Sequence, residues 1–183
     1  LSIQEAFTNV SFSEPDVLKT LDTIVVKNPG IFSIYMGTPD KKMLLKPDDD
    51  LGSDYDPTTR DWYLQAKEAG GFIWTDAYFD DTVGAMMITA AAPVYKNGSF
   101  VGVVAADLLL DTLNEQTKNL RIGEKGYPII VDKNGLILAH INPEKIGTPL
   151  VSPILNEAIK TGNLETLSYT NEENGKVFKK LAE

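Results

Sequence analysis

The chain has 183 residues, 43% of them hydrophobic, which is enough for a real core and excludes a disordered segment. Its 17 basic against 26 acidic side chains leave a net charge of −9, with no Lys/Arg run interleaved with aromatics, which disfavours nucleic acid and anionic membrane surfaces as partners. The absence of cysteine removes disulfides and thiolate chemistry, and the single histidine, His140, removes most zinc sites and Ser-His catalysis.

No apolar run reaches the ~18–20 residues that span a bilayer, and no signal peptide is visible. The chain runs from Leu1 to Glu183, stopping inside a strand-like pattern, and reads as a piece of a longer protein. Residues 1–12 carry little signal and are expected to be the tail of a longer helix. From Ser13 the signal sharpens. Ser13 and Asp16 form a capping box around Pro15, and Val17, Leu18, Leu21, Ile24 and Val25 recur at helical spacing until Asn28-Pro29-Gly30. Strands follow at 31–37 and 42–46, joined by a turn at Thr38-Pro39-Asp40. Asp48, Asp49 and Asp50 read as a solvated loop, because a calcium loop needs the alternating spacing they lack.

The densest stretch runs from Tyr55 to Asp80, YDPTTRDWYLQAKEAGGFIWTDAYFD. Asp56 as N-cap and Pro57 at the first position predict a helix ended by Gly70-Gly71, with Thr58 and Asp61 as an alternative capping box. Arg60 and Trp62 then fall in or near the first turn, where free backbone N–H groups and the positive end of the helix dipole favour an anion. The planar fork of arginine can hold both oxygens of a carboxylate.

Three strands are predicted next, at 72–80, 84–95 and 99–110, the last two joined by a turn at Asn97-Gly98. In the last of them Val101, Val103, Ala105 and Asp107 share one face, so a carboxylate ends an apolar row and needs a partner. Asp107 either caps the helix that follows or faces a cationic group of a ligand. Beyond a polar joint at 121–126 the pattern restarts, with strands at 127–131 and 136–140 around Asn134-Gly135, a helix at 151–160, and strands at 164–170 and 175–181. His140, at a strand end, reads as structural. The chain is therefore expected to be α+β in two units, residues 1–120 and a smaller, truncated 121–183.

Tyr55, Arg60, Trp62, Tyr63, Tyr78, Asp80 and Asp107, at these spacings, resemble the amino-acid-binding motif of the double Cache sensor domains of bacterial chemoreceptors and sensor kinases. The resemblance extends over essentially the whole chain. It implies two PAS-like modules with antiparallel sheets on a long N-terminal helix, here mostly absent, the first module membrane-distal and ligand-binding, the second membrane-proximal. One departure is Asp76-Ala77, where relatives carry a glutamate or another residue followed by proline; this is expected to affect pocket shape.

By the same resemblance, Arg60, Trp62 and Tyr55 hold a ligand carboxylate, and Tyr78 and Asp107 take its α-ammonium. Asp80 contacts the ammonium or fixes the neighbouring loop, and Tyr63 adds backbone or ring contacts. Tyr35, Trp74, Met86 and Thr89 are candidates for the side-chain pocket, although a one-residue slip in a strand reverses its face. The function implied is an extracytoplasmic sensor for L-amino acids on a membrane-anchored chemotaxis receptor, dimeric at full length, with no enzymatic activity, cofactor or metal. The alternatives are the same domain on a histidine kinase or diguanylate cyclase sensing an amine or small carboxylate, and, remotely, a hydrolase using paired carboxylates. A ligand with one charged end would need only half of the pair Arg60 and Asp107. At about 1.5 kcal/mol per heavy atom, a ligand as small as alanine or serine is limited to roughly 9 kcal/mol, near micromolar affinity.

Overall fold

A computed structural model describes residues 13–120, 126–162, 167–173 and 176–182, the last two segments by backbone alone. The expected helix remnant at 1–12 and most of the joint at 121–126 lie outside the described residues. The chain divides into two compact units, Leu1–Gln116 and Thr117–Glu183.

In the first unit, helix α1 spans Glu14–Lys27, and the Ser13 side chain accepts a hydrogen bond from the Asp16 N–H as the capping pattern predicts. Val17 and Leu21, one turn apart, are its buried residues. A six-stranded antiparallel sheet is built from β1 (Ser33–Gly37), β2 (Met43–Lys46), β3 (Ile73–Trp74), β4 (Tyr78–Asp80), β5 (Ala85–Lys96) and β6 (Ser99–Leu109). Its order is β2-β1-β6-β5-β3, with β4 also paired to β5. The β5–β6 hairpin turns on Asn97 and Gly98, both at positive φ (50° and 79°), the backbone that a tight Asn-Gly turn supplies.

Strand alternation gives the sheet two different faces. Ile34, Met36, Ala92, Val94, Val104 and Ala106 pack with Val17 and Leu21 of α1. Tyr35, Ala91, Val103 and Ala105, one residue out of phase, pack with Trp62, Tyr63 and Ala66 of α2 (Asp61–Ala69). Gly37 allows that second helix to lie close: a Cβ there would come within 2.8 Å of both Pro57 Cβ and Trp62 Cη2. Helix α2 ends on Gly70 in the left-handed conformation.

Two predicted elements divide. The helix expected from Asp56 is a 3-10 turn, Pro57–Thr59, capped by Asp56, followed by α2. Between them Arg60 is extended (φ −82°, ψ 145°) and serves as the N-cap of α2 without a side-chain cap bond. The Thr58 hydroxyl donates to Asp56, and the Thr58–Asp61 box does not form. The strand expected at 72–80 breaks between β3 and β4, where the Thr75 side chain accepts the Thr89 N–H (3.0 Å). That side-chain bond replaces the ladder bond a continuous strand would make.

Helix α3 (Leu110–Thr117) follows β6 directly. The second unit contains β7 (Ile130–Val131) paired with β8 (Ile137–Ala139), helix α4 (Pro153–Thr161), and β9 (Leu167–Glu173) paired with β10 (Lys176–Ala182). Asp132 holds the β7–β8 turn by accepting the N–H groups of Asn134 and Leu136, both at 2.8 Å. His140 is buried, its Nδ1 accepts the Asn142 N–H at 2.8 Å, and the Tyr127 ring meets it edge-on.

Candidate functional site

The site begins with register. Ser33 on β1 and Thr89 on β5 are the Cα partners of Asp107 on the central strand β6. Tyr35, two residues beyond Ser33, points to the same face. The Asp107 carboxylate collects all three hydroxyls: Oδ2 accepts from Ser33 (2.9 Å), and Oδ1 from Tyr35 (2.8 Å) and Thr89 (2.6 Å). Asp107 is only 8% exposed, and it makes no ion pair among the described residues. The helix-capping alternative does not form, since α3 starts at Leu110 and both Asp107 oxygens are committed to hydroxyls.

Burial raises the pKa of Asp107 above the usual carboxylate value, and the hydroxyls of Thr89, Tyr35 and Ser33 pull it back. Burial, then the Asp107 charge, raises the Tyr35 phenol well above its ordinary value. The Tyr78 hydroxyl lies 3.3 Å from Thr89 Oγ1. Because the one Thr89 hydroxyl proton goes to Asp107, Tyr78 is the donor in that contact. The lone pairs of Tyr78 therefore remain available to accept an N–H. Burial and the Asp107 charge push the Tyr78 phenol up to about 12, so it is neutral at physiological pH.

The opposite charge stands nearby. The Arg60 guanidinium is exposed, lies 5.6 Å from the centre of the Tyr55 ring, and makes no ion pair among the described residues. The Asp56 carboxylate beside it is already paired with Lys41 at 2.9 Å. A recess of about 490 Å³ opens here, lined by residues 51–56, Thr59 and Arg60. Asp107 does not line it, but two tyrosines feel both charges. Burial raises the Tyr55 phenol, Arg60 and a hydrogen bond from Trp62 lower it, and Asp107 raises it; Tyr78 feels both Asp107 and Arg60.

Of the predicted residues, Tyr55 and Tyr78 are thus each under the influence of both Arg60 and Asp107. Trp62, 7% exposed, packs its ring edge-on against Tyr35 at 5.0 Å and turns its indole N–H to Tyr55. Tyr63 is core: its ring is 2% exposed, and its N–H bonds the Arg60 carbonyl within the helix. Asp80 fixes its loop, accepting the N–H groups of Thr82 (2.9 Å) and Val83 (2.8 Å). Thr89, 1% exposed, and Tyr35 stand on the Asp107 face. Trp74 pairs with Ala90 and Met86 with Phe79, which puts both on the opposite face; Met87, paired with Tyr78, takes the site-facing position. Ser33 escaped the sequence reading, and its only signal was its place two residues before Tyr35.

Asp48 is paired with Lys46, while Asp49 and Asp50 accept backbone N–H groups. Among the described residues no group of three or more His, Asp or Glu side chains is placed to hold a metal ion. No helix among them is long and apolar enough to cross a membrane.

Residues 4–115 match the sequence profile of the methyl-accepting chemotaxis protein-like, first PDC sensor domain. The methyl-accepting chemotaxis protein PctB of Pseudomonas aeruginosa is 32% identical over 146 residues, 74% of this chain and 23% of that protein. McpB of Bacillus subtilis is 40% identical over 116 residues, 63% of this chain and 17% of that protein. This chain therefore spans about a fifth of the length of these relatives. Among solved structures, the ligand-binding domain of the Pseudomonas fluorescens chemoreceptor CtaA in complex with L-serine superposes with a TM-score of 0.70 at 26% identity, covering 96% of this chain and 75% of that one.

Proposed function

The chain belongs to the family of methyl-accepting chemotaxis protein-like first PDC sensor domains, and we propose that its first unit binds L-amino acids by their two charged ends. The observation that carries this reading is Asp107: a buried carboxylate held by three hydroxyls, with no ion-pair partner among the described residues, whose charge and that of Arg60 are both felt by Tyr55 and Tyr78. The α-ammonium donates to Asp107 Oδ2, which accepts one hydroxyl where Oδ1 accepts two, and to Tyr78 Oη. The carboxylate takes Arg60, with the Tyr55 hydroxyl and the Trp62 indole N–H beside it. Asp80 shapes the loop that borders the ammonium, and Tyr63 supports Trp62 from the core.

Charge-assisted hydrogen bonds contribute about 1.5–3 kcal/mol each, so removing either ligand charge weakens binding by about 10- to 150-fold. Binding without chemistry is the whole role assigned to the site. A pair of carboxylates for hydrolysis is disfavoured because Asp80 is spent on two backbone N–H groups. The relatives' names support a parent protein that is a methyl-accepting chemotaxis protein; in this reading the parent is membrane-anchored, with this domain outside the cytoplasm and the full-length receptor dimeric. Ligand binding shifts a two-state equilibrium by its differential affinity and passes the displacement towards the membrane.

A thermal-shift screen of the domain against the twenty L-amino acids, with matched amines and matched acids, tests the reading. Stabilisation by amino acids over both matched sets is expected, since a ligand that binds only the folded state raises its stability. Stabilisation by amines alone, or by nothing in the set, contradicts it.

A further inference from the structure

We propose that the hydroxyls of Ser33, Tyr35 and Thr89 are positioning groups that keep Asp107 ionised in its buried place, and so set how far the pH can fall before the ligand ammonium is lost. The inference rests on Asp107 being the partner of that ammonium. Tyr35 and Thr89 are 5% and 1% exposed and Ser33 is 9%, so these hydroxyls serve Asp107 and are not themselves a binding surface.

Two opposing influences act on this carboxylate. Burial favours its protonated form, and the like charge of Asp80 adds to that preference. Against them, among the described residues, stand hydrogen bonds: two hydroxyls on Oδ1 and one on Oδ2. The titratable and charged groups that act on Asp107 or couple to its charge are Tyr35 on β1, Tyr78 and Asp80 on β4, and Tyr55. The three phenols are neutral in the relevant range, because each is raised above its ordinary value. Arg60 acts on Tyr55 and Tyr78 and makes no ion pair with Asp107. The uncharged donors therefore decide the balance.

A proton and an ammonium compete for one carboxylate. Below the Asp107 midpoint, affinity falls about tenfold per pH unit. Removing one hydroxyl that donates to a charged acceptor moves that midpoint up by about one to two pH units. Tyr35→Phe and Thr89→Val each delete one donor with little change of shape, and Ser33→Ala deletes the third. Thr89→Val has a second effect, since Tyr78 then loses the acceptor that orients its proton away from the ligand.

The test is a carbon-13 carboxyl NMR titration of the ligand-free 183-residue chain, with the Asp107 resonance identified by its loss in Asp107→Asn. The expected result is an upward shift of about one to two pH units in Tyr35→Phe and in Thr89→Val. An unchanged or lowered midpoint in both overturns the proposal, and Ser33→Ala decides if either fails to fold. This arm uses no ligand, so it stands apart from the amino-acid reading. A second arm follows L-serine binding by calorimetry from about pH 4 to about pH 8, where a proton's competition is read as the acid limb. In the variants that limb moves up by the same interval while affinity recovers at high pH; an equal loss at every pH marks a merely structural role and also overturns the proposal. If the wild-type chain binds neither L-serine nor any other amino acid, the functional reading fails and the NMR result still decides this one.

Discussion

Asp107 links the chemistry of the site to the stability of the fold. Its pKa is raised by burial above the ordinary 3.8 that it has in the unfolded chain. The folded protein therefore holds that proton more tightly than the unfolded one, and the Asp107 contribution to stability is full below the unfolded value and lost as pH rises through the folded value. At neutral pH the ligand-free fold carries a penalty there. Asp107→Asn is expected to raise the melting temperature at pH 7, by roughly 2–4 °C for each kcal/mol relieved in a chain of this length, while abolishing the ligand-induced shift. The amide suits the pocket, because its oxygen accepts two hydroxyls and its NH₂ donates to the third. Asp56 behaves in the opposite sense: the Thr58 hydroxyl first, and Lys41 after it, lower its pKa, so its contribution is present at neutral pH and lost on acidification. Arg60→Ala should leave unfolding within about 0.5 kcal/mol, because the side chain is exposed and makes no ion pair among the described residues, yet weaken the amino acid by at least about tenfold. A melting curve and a calorimetric titration of the same sample separate the two effects.

Among the elements, the close approach of α2 to the sheet is what seats Trp62 against Tyr35 on the face that carries Asp107, with Arg60 at the helix start. Gly37→Ala puts a Cβ 2.8 Å from Pro57 and Trp62 and 3.2 Å from Tyr63, an overpacking expected to destabilise by about 1–3 kcal/mol. Thermal unfolding should show the loss, and ligand affinity should fall with it, because the displaced turn carries Arg60. Tyr63→Ala empties a core position and is expected to lose about 3–5 kcal/mol, as denaturant unfolding would measure. Much of this level was legible in the sequence: the Ser13 cap, the Asn97-Gly98 hairpin and the row Val103, Ala105 and Asp107 rest on local chemistry, whereas the expected fourth member, Val101, falls at the register shift between Val94 and Tyr95 and packs on the α1 face. The break at Arg60 was not, since a 3-10 turn and an α-helix share the same start signals at Asp56 and Pro57. Nor were the faces of Trp74 and Met86 or the role of Ser33. Those depend on strand register and on the interruption at Thr75, both fixed by partners far away in the chain.

For the molecule as a whole, the order of helices and hairpins was enough to anticipate a mixed α and antiparallel sheet fold, and the family match and structural neighbours agree with it. Opposite charges were legible as an arginine at a helix start and a carboxylate at a strand end, whereas the three hydroxyls gathered on that carboxylate are a product of the tertiary fold. The central claim is that one ligand bridges these charges. Calorimetry of the wild-type chain, Arg60→Ala and Asp107→Asn tests it most directly, using the amino acid that stabilises the protein most, its decarboxylated amine and its deaminated acid. The wild type should bind the amino acid about 10- to 150-fold more tightly than either fragment. Arg60→Ala should lose its preference over the amine, and Asp107→Asn its preference over the acid. Wild-type affinity for a fragment equal to that for the amino acid, or unchanged preferences in both variants, would contradict the claim.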